Sequence, residues 1–261
     1  MPFSGFSVCV RGASHEKNGT PCQDSARVYI EQDFAVAAAA DGHGSERHFR
    51  SDSGSEMATR VAIRSIIDFR ERNGGLAGVL RENPDNTARR IAANIIYCWN
   101  RETAAHLNFL PLSPQEREIS GKYGGLKTET IYGSTLIVAY MERDICFGLQ
   151  IGDGSFTMNA HGITTMPMPA DDRLVGTRTT SLCDSDAIGG FRHFVYNGQA
   201  DGVALSTDGL INSFVSIDDF LSFSGRNTSY NGRTADLSEH LRKRSETGSK
   251  DDISFAAVSL R

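Results

Sequence analysis

The chain has 261 residues, of which 39% are hydrophobic and 23% are charged. This apolar content is ordinary for a globular protein and argues against disorder of the whole chain. The formal net charge is -5, so no overall positive field is present to attract a nucleic acid.

Neither a targeting segment nor a membrane span is indicated. The N-terminal residues lack a basic start followed by a long apolar stretch, and no later run reaches the roughly 18 apolar residues that a membrane helix needs. We therefore expect a cytoplasmic protein without nucleic-acid or membrane partners. No repeat or linker-like composition divides the sequence, so we expect a single domain over residues 1–261.

The five cysteines are odd in number, widely spaced and without a CxxC pair. This pattern argues against both a disulfide framework and a zinc knuckle. We expect all of them to be buried free thiols. They are Cys9, Cys22, Cys98, Cys146 and Cys183.

The first half of the chain predicts three strands and then two helices. Hydrophobic alternation favours strands at residues 7–10 and 26–30, and a continuous apolar run at 34–40 favours a fully buried strand. Apolar residues at helical spacing follow in two stretches, and Asn73-Gly74-Gly75 ends the first helix. The residues at that spacing are Met57, Val61, Ile66 and Phe69 in the first helix, and Ile91, Ile95 and Trp99 in the second.

The second half begins with residues 111–132, whose prolines, charges and glycine pair predict a long loop. A strand hairpin is predicted at 135–140 and 145–150, with later strands at 203–206 and 253–260 and an amphipathic helix near 235–244. Alternating groups of strands and helices indicate an α+β layered domain.

Four aspartates lie at the ends of predicted strands. Asp41 follows the buried strand at 34–40, Asp208 follows 203–206, Asp251 precedes 253–260, and Asp24 precedes 26–30. If these ends converge, each pair of carboxylates 4 Å apart costs roughly 4 kcal/mol at an effective dielectric of 20, so a cation is needed among them. All-oxygen ligands favour Mg²⁺ or Mn²⁺, and two such ions are suited to hydrolysis of phosphate esters.

The alternative interpretation is that Asp-Gly pairs only make turns, because aspartate tolerates left-handed backbone and glycine supplies positive φ. Asp201-Gly202 is such a case, since it precedes its strand and matches no other motif. The recurrence of aspartate at several strand ends favours the metal site.

An ordered series of short motifs resembles the PPM/PP2C family of metal-dependent Ser/Thr protein phosphatases, in its compact bacterial branch. The resemblance spans about residues 7–260. The motifs are Ser14-His15, Pro21-Cys22-Gln23-Asp24, Asp41-Gly42-His43-Gly44, Gly133-Ser134-Thr135, Gly152-Asp153-Gly154, Ser206-Thr207-Asp208-Gly209 and Gly248-Ser249-Lys250-Asp251-Asp252.

The resemblance implies a four-layer α-β-β-α sandwich, with two central antiparallel sheets flanked by helix pairs. It also implies hydrolysis of phosphoserine and phosphothreonine in proteins by water activated at a binuclear Mn²⁺ or Mg²⁺ centre. The implied partners are a phosphorylated protein substrate and a cognate Ser/Thr kinase, and we expect a monomer.

Residue roles follow from matching positions. Asp41 is implied to bridge both metals and the Gly42 carbonyl to bind one of them, while Asp208 and Asp251 complete the other. Asp24 acts through metal-bound water, Asp153 matches the position of a third, weaker metal, and His43 is the candidate general acid for the leaving oxygen. The alternatives are a solvent-facing turn for His43 and a tight strand-to-strand turn for Asp153.

The sequence departs from the family pattern at several positions. Gln23 replaces an acid found in many relatives, and Asn212 replaces another that supports the third metal. Asp252 stands where the family usually has asparagine, and we expect it to support the ligands or to be solvated rather than to bind metal. The usual phosphate-binding arginine is missing, and the nearby substitutes are Arg11, His15 and Lys17.

Two other functions stay open: a non-catalytic sensor with the same fold, and a hydrolase of small phosphate esters. Retention of the core aspartates favours catalysis over the sensor. The acidic segment 171–186 is interpreted either as a flap over the site or as a solvated loop.

Overall fold

The computed structural model describes residues 3–174, 179–229 and 234–260. Within these ranges the chain forms ten strands and ten helices, with a short 3₁₀ turn at Glu46–His48. The strands are β1 Phe3–Val10, β2 Asp24–Ile30, β3 Ala35–Asp41, β4 Leu136–Glu142, β5 Ile145–Ile151, β6 Ser155–Ala160, β7 Ile163–Thr165, β8 Arg192–Asn197, β9 Gly202–Ser206 and β10 Ile253–Leu260. The helices are α1 Ala13–Asn18, α2 Ser51–Arg72, α3 Ala77–Glu82, α4 Pro84–Phe109, α5 Pro114–Lys122, α6 Thr128–Ile131, α7 Ala187–Gly190, α8 Asp208–Ile211, α9 Ile217–Thr228 and α10 Thr234–Thr247.

The described strands form two antiparallel sheets. The first sheet has the order β1-β10-β9-β6-β7, and the second has the order β2-β3-β4-β5-β8. Each contains five strands. In the first sheet β10 is an interior strand, because it pairs along its length with β1 and on its other side with β9.

Strand β3 is buried on both faces, as its continuous apolar run predicts. Val36 and Ala38 face α2 and α4, whereas Ala35 and Ala37 face the first sheet. Alanines on both faces let the neighbouring layers approach closely, since they add little side-chain volume. The strand therefore delivers Asp41, its last residue, to the edge of a densely packed core.

Three apolar clusters define the layers. One lies between the second sheet and helices α2 and α4, one lies between the two sheets, and the third lies between the first sheet and helices α9 and α10. This order confirms the predicted four-layer α-β-β-α sandwich with two antiparallel sheets between helix pairs.

The prediction of a long loop at 111–132 is wrong, because α5 and α6 lie in this segment. Helix α5 begins with a capping box in which Ser113 accepts a hydrogen bond from the Glu116 backbone, while the Glu116 carboxylate accepts one from the Ser113 backbone. Pro114 occupies the first turn, where no intrahelical N–H bond is lost. The charges and the proline thus belong to a capped helix.

The predicted helix at 235–244 is confirmed by α10, whereas α3, α9 and strands β6, β7 and β8 were not predicted. The prediction of five buried thiols is only partly correct. All five cysteines are free, but Cys146 alone is fully buried and Cys9 is exposed. In the described part of the chain, no helix has the length and apolar character to cross a membrane.

Candidate active site

The candidate site lies where strand ends of both sheets meet. Asp24 begins β2 and Asp41 ends β3, and the two residues are direct cross-strand partners in the antiparallel pair. Gly42 follows immediately, and its N–H donates to the Gln23 carbonyl at 3.0 Å. A Cβ on Gly42 would lie 2.5 Å from the Ser51 carbonyl oxygen, so this close approach of backbone to backbone requires glycine.

The other two aspartates come from the first sheet. Asp208 begins α8 just after β9, and Asp251 precedes β10, the antiparallel partner of β9. The Thr207 hydroxyl donates to Asp24 Oδ2 at 2.6 Å and accepts from the Ser254 N–H at 2.9 Å. Thr207 therefore joins the acidic edges of the two sheets directly.

Asp252 is buried beneath this joint, which excludes the solvated alternative for its side chain. Its two carboxylate oxygens accept from the backbone N–H groups of Gly12 and Gln23, each at 2.6 Å. A Cβ on Gly209 would lie 2.0 Å from the Asp252 carbonyl oxygen, so α8 packs against this residue without space for a side chain. Asp252 thus fixes the segments that carry Asp24 and Asp251.

Burial and mutual repulsion perturb the acidic residues. Burial raises the pKa of Asp24 well above its ordinary value, and the charges of Asp252, Asp251 and Asp208 act in the same direction. Burial followed by the charges of Asp24 and Asp208 likewise raises the pKa of Asp41. Among the described residues, no Arg or Lys forms an ion pair with Asp24, Asp41 or Asp208.

A divalent cation suits this donor set in charge and in chemistry, since buried carboxylates without a counter-ion are costly and oxygen ligands match Mg²⁺ and Mn²⁺. The side chains are not, however, arranged as a finished metal site. In the described ranges, no three His, Cys, Asp or Glu side chains are close enough to hold one ion. The ligand assignments for Asp24, Asp41, Gly42, Asp208 and Asp251 therefore stay predictions.

An open cleft of about 640 Å³ lies against the acidic edge. Asp41, Asp251 and Asp252 line one side, and His43, Arg47 and His48 also line it. A cleft of this size with convergent polar groups is suited to a small, highly charged group of a larger ligand.

His43 faces the cleft and not open solvent. Its Nε2 lies 2.7 Å from the Ser181 hydroxyl, and its ring packs edge-on against His48 with centroids 4.8 Å apart. Burial, assisted by the charge of His48, lowers the pKa of His43 to about 4. The imidazole is therefore neutral at pH 7 in the absence of a nearby anion.

Of the three predicted phosphate-binding residues, His15 lines the cleft, whereas Arg11 and Lys17 do not. His15 Nδ1 lies 3.0 Å from Asp252 Oδ2, and its Nε2 lies 3.9 Å from Asp251 Oδ1. The Arg11 guanidinium instead donates to the His15 carbonyl at 2.9 Å.

Sequence reasoning missed Arg47, the one Arg or Lys that lines the cleft in the described part of the chain. Its guanidinium lies 5.5 Å from the centroid of the Tyr123 ring and has no ion pair with any described acid. An unpaired guanidinium facing a cleft is available to a phosphate. The only sequence signal was its position six residues after Asp41.

Asp153 and Asn212 flank Asp208. The charge of Asp153 contributes to raising the pKa of Asp208, after burial. The Asn212 amide donates to Asp208 Oδ2 at 3.0 Å. Asp153 lies in the tight turn after β5, beside Gly152 with φ 104°. It is therefore both a turn residue and a neighbour of the acidic group.

The predicted flap, residues 171–186, is partly described, and residues 175–178 lie outside the described residues. Asp171 anchors one end through ion pairs with Arg173 and Arg192, at 2.7 and 3.6 Å. At the other end Ser181 and Asp184 line the cleft. The described end of the segment is thus part of the cleft wall.

Solved structures share this architecture. PppA, described as a key regulatory component of T6SS in Pseudomonas aeruginosa, matches with a TM-score of 0.62 and 16% identity, over 99% of this chain and 98% of that chain. The Ser/Thr phosphatase Stp1 from Staphylococcus aureus matches with a TM-score of 0.59 and 13% identity, over 100% and 96%. The catalytic domain of the Ser/Thr phosphatase PstP, solved with two manganese ions, matches with a TM-score of 0.57 and 16% identity, over 99% and 98%.

These solved structures, two of which are described as Ser/Thr phosphatases, share the fold of this chain. Residues 11–244 match the family model described as protein phosphatase 2C. The chain therefore belongs to the protein phosphatase 2C family of protein serine/threonine phosphatases. No curated protein is similar enough to this chain to indicate a relationship.

Proposed function

We propose that this protein hydrolyses phosphoserine and phosphothreonine in proteins, using two divalent cations, Mn²⁺ or Mg²⁺. The observation that carries the proposal is the convergence of four acidic strand ends from both sheets beside an open cleft. Thr207 joins these edges, and the charges of Asp24, Asp208 and Asp251 act on Asp41. The structure of PstP with two manganese ions supports the same metal chemistry for this fold.

The ligands proposed for the cations are Asp41 and the Gly42 carbonyl for one, and Asp41, Asp208 and Asp251 for the other. Asp24 supports them through water, and Asp153 is the ligand proposed for a third, weaker cation. When bound, such cations activate water and neutralise charge on a phosphoryl group. Asn212, which donates to Asp208, keeps that carboxylate oriented.

The side chains on the cleft wall bind and orient the substrate. Arg47 offers a guanidinium to the phosphate oxygens, and His15, whose Nδ1 lies 3.0 Å from Asp252 Oδ2, offers a second polar group. His43 is proposed to donate a proton to the leaving serine or threonine oxygen. Because its pKa is about 4 without an anion, the negative charge of bound phosphate has to stabilise the protonated imidazole.

The test is hydrolysis of a phosphothreonine peptide by the purified protein with Mn²⁺, with Mg²⁺ and with a chelator. We expect activity that requires metal and that falls at least about 100-fold in Asp208→Ala, because a cation loses a charged ligand. The matched control is Asp201→Ala, which removes an exposed Asp-Gly aspartate whose charge, unlike that of Asp208, is not among those acting on Asp24 and Asp41.

An unchanged rate in Asp208→Ala would overturn the metal assignment. A folded protein that is inactive with every metal would favour the sensor. Hydrolysis of small phosphate esters without hydrolysis of any phosphopeptide would favour the small-ester hydrolase. A phosphoprotein substrate further implies a kinase partner that phosphorylates it.

A further inference from the structure

A groove continues from the cleft along helix α4. A middle hollow of about 330 Å³ shares Cys183 and Asp184 with the cleft, and a far hollow of about 440 Å³ shares Asp186 and Ile188 with the middle one. Helix α4 forms one wall of both hollows, and the segment around α7 forms the other. We call these two hollows the α4 groove.

The middle hollow is acidic. Glu129, Asp184 and Asp186 line it against a single basic residue, Lys127. Neither Glu129 nor Lys127 forms an ion pair with another described residue. Arg173, which donates to the Gly189 and Gly190 carbonyls of α7, interacts electrostatically with Asp184 and Asp186. The three carboxylates still outnumber Lys127 and Arg173, and this excess favours a cationic side chain of a ligand.

The middle hollow also contains an unsatisfied acceptor. Asn100, on α4, lines the hollow, and its enclosed side-chain oxygen has no hydrogen-bond partner among the described residues. Because this oxygen is enclosed, a ligand N–H would reach it only after the Asn100 side chain turns towards the hollow.

The far hollow has a different character. Ala88, Ala92 and Leu149 form an apolar part of its lining, and Ile188 is exposed at its junction with the middle hollow. Its charged lining is mixed, because Arg89 lines it together with Asp85 and Asp186. Asp85 lies 3.1 Å from His193 Nε2. This hollow suits an apolar side chain at the far end of a bound segment.

We propose that the α4 groove binds the polypeptide on one side of the phosphorylated residue and selects a basic residue close to it, followed by an apolar one. The inference rests on the proposed function, since the phosphoryl group has to occupy the cleft. The occupant is a substrate segment because the groove opens directly from the cleft and shares part of its wall. The acidic lining complements a basic peptide and repels an acidic one.

The experiment compares phosphothreonine peptides that carry Lys-Arg or Glu-Glu within a few residues of the phosphothreonine, placed on either side. The double variant Glu129→Gln, Asp186→Asn removes two groove charges. Asparagine at 186 keeps the side-chain acceptor that Asp186 provides to the Gly189 N–H at the start of α7. The control Asp218→Asn, Glu246→Gln removes two exposed charges on α9 and α10, across the sandwich.

For the unmodified protein we expect kcat/KM to favour the basic peptide about 10-fold on one side, through KM, and less at high salt. The double variant should lower this preference about 3- to 10-fold, and the control should not change it. Hydrolysis of p-nitrophenyl phosphate should be the same in all three proteins, because this ester does not reach the groove.

No preference on either side, or a preference that survives in the double variant, would overturn the inference. Anisotropy of the same peptides carrying a fluorophore measures binding without turnover. Loss of all hydrolysis would contradict the proposed function, whereas the binding preference still tests the groove. The two failures are therefore distinguishable.

Discussion

His43 shows how the fold changes the surroundings of a residue that the sequence predicts to be catalytic. The sequence places His43 in a glycine-flanked turn, which would suit a solvent-exposed imidazole. The structure instead places it in the cleft wall, against His48 and the Ser181 hydroxyl. A Cβ on Gly133 would lie 2.8 Å from His43 Cδ2, so glycine at that position is needed for the ring to fit.

If His43 protonates the leaving oxygen, the loss of His43 should matter most for a leaving group that needs a proton. We expect His43→Ala to slow hydrolysis of a phosphothreonine peptide about 100-fold and that of p-nitrophenyl phosphate less than about 10-fold, because a phenolate leaves without a proton. The measurement is kcat on both substrates at saturating Mn²⁺. Equal losses on the two substrates would remove the general-acid role.

Arg47 is expected to act through binding. We expect Arg47→Ala to raise KM for p-nitrophenyl phosphate about 10-fold, since a charge-assisted contact to phosphate is lost. Arg47→Lys keeps the charge without the planar fork and should show a smaller rise. An unchanged KM in both variants would contradict the assignment.

The sequence predicted the aspartates better than the residues around them. Asp41 follows an unmistakable buried strand, so its position at a sheet edge could be inferred from the local pattern. Arg47 lies in a short 3₁₀ turn and meets Tyr123, a residue 76 positions further along the chain. Such a contact depends on tertiary packing and leaves no periodic signal.

At the scale of elements, α5 is held to the sandwich by a buried arginine. Arg50 donates from Nε and Nη2 to the two Glu116 carboxylate oxygens, at 2.7 and 2.9 Å. Its Nη1 donates to the Leu110 carbonyl at 2.7 Å and to the Tyr132 hydroxyl at 3.1 Å. These bonds join the start of α2 to the N-terminal end of α5 and to Tyr132, which follows α6.

This arrangement predicts an acid-sensitive contribution to stability. The hydrogen bonds from Arg50 lower the pKa of Glu116 to about 2. A carboxyl whose pKa is lower in the folded state stabilises the fold fully above its unfolded value, near 4.5, and this contribution is lost as the pH falls towards 2.

We expect Glu116→Gln to lower the free energy of unfolding at pH 7 by about 2 kcal/mol, because Arg50 loses its charged partner while buried. The difference between this variant and the unmodified protein should shrink between pH 4.5 and pH 2. Urea unfolding across this pH range measures both effects. The exposed Glu118→Gln on the same helix is the control and should change stability by less than about 0.5 kcal/mol.

Helix α5 could have been found in the sequence. Ser113 and Glu116 have the spacing of a capping box, and Pro114 is favoured in a first helical turn. The segment was not recognised as a helix because it is rich in charges and has no apolar residues at helical spacing. Its attachment to Arg50 is a contact between distant segments and could not be inferred from local pattern.

At the scale of the whole molecule, the acidic residues form a joint between the two sheets. Asp24 and Asp41 belong to one sheet, whereas Asp208 and Asp251 adjoin strands of the other. Their mutual repulsion opposes the association of the layers, and the proposed divalent cations would offset it.

We expect Mn²⁺ at about 100 times its dissociation constant to raise the Tm of the unmodified protein by roughly 5–10 °C relative to chelator, by mass action. In chelator, Asp41→Asn should itself melt about 3 °C higher, since one repelling charge is gone, and Mn²⁺ should then have little effect. Differential scanning calorimetry measures these shifts. A Tm of Asp41→Asn that responds to Mn²⁺ as the unmodified protein does would contradict the ligand role.

The four-layer architecture was predicted more completely than the individual strands and helices. Motif order implied both sheets and both helix pairs, although β6, β7, β8 and α9 were not recognised individually. Strand β7 has only three residues, and both β7 and β8 are partly exposed, so neither shows a strong alternation of buried and exposed positions. Pairing with the longer strands β6 and β5 stabilises β7 and β8 as strands, although their own sequences do not indicate it.

The pairing of β10 with β1 bears on the order in which the chain acquires its structure. Val10 pairs with Ile253 and Phe3 with Leu260, so β1 has to wait for almost the whole length of the chain to be synthesised before it finds its partner. Contacts this distant in sequence slow folding, because a very long loop is closed before they form. Since Asp251 directly precedes β10, the group of four aspartates is complete only after this strand has been synthesised.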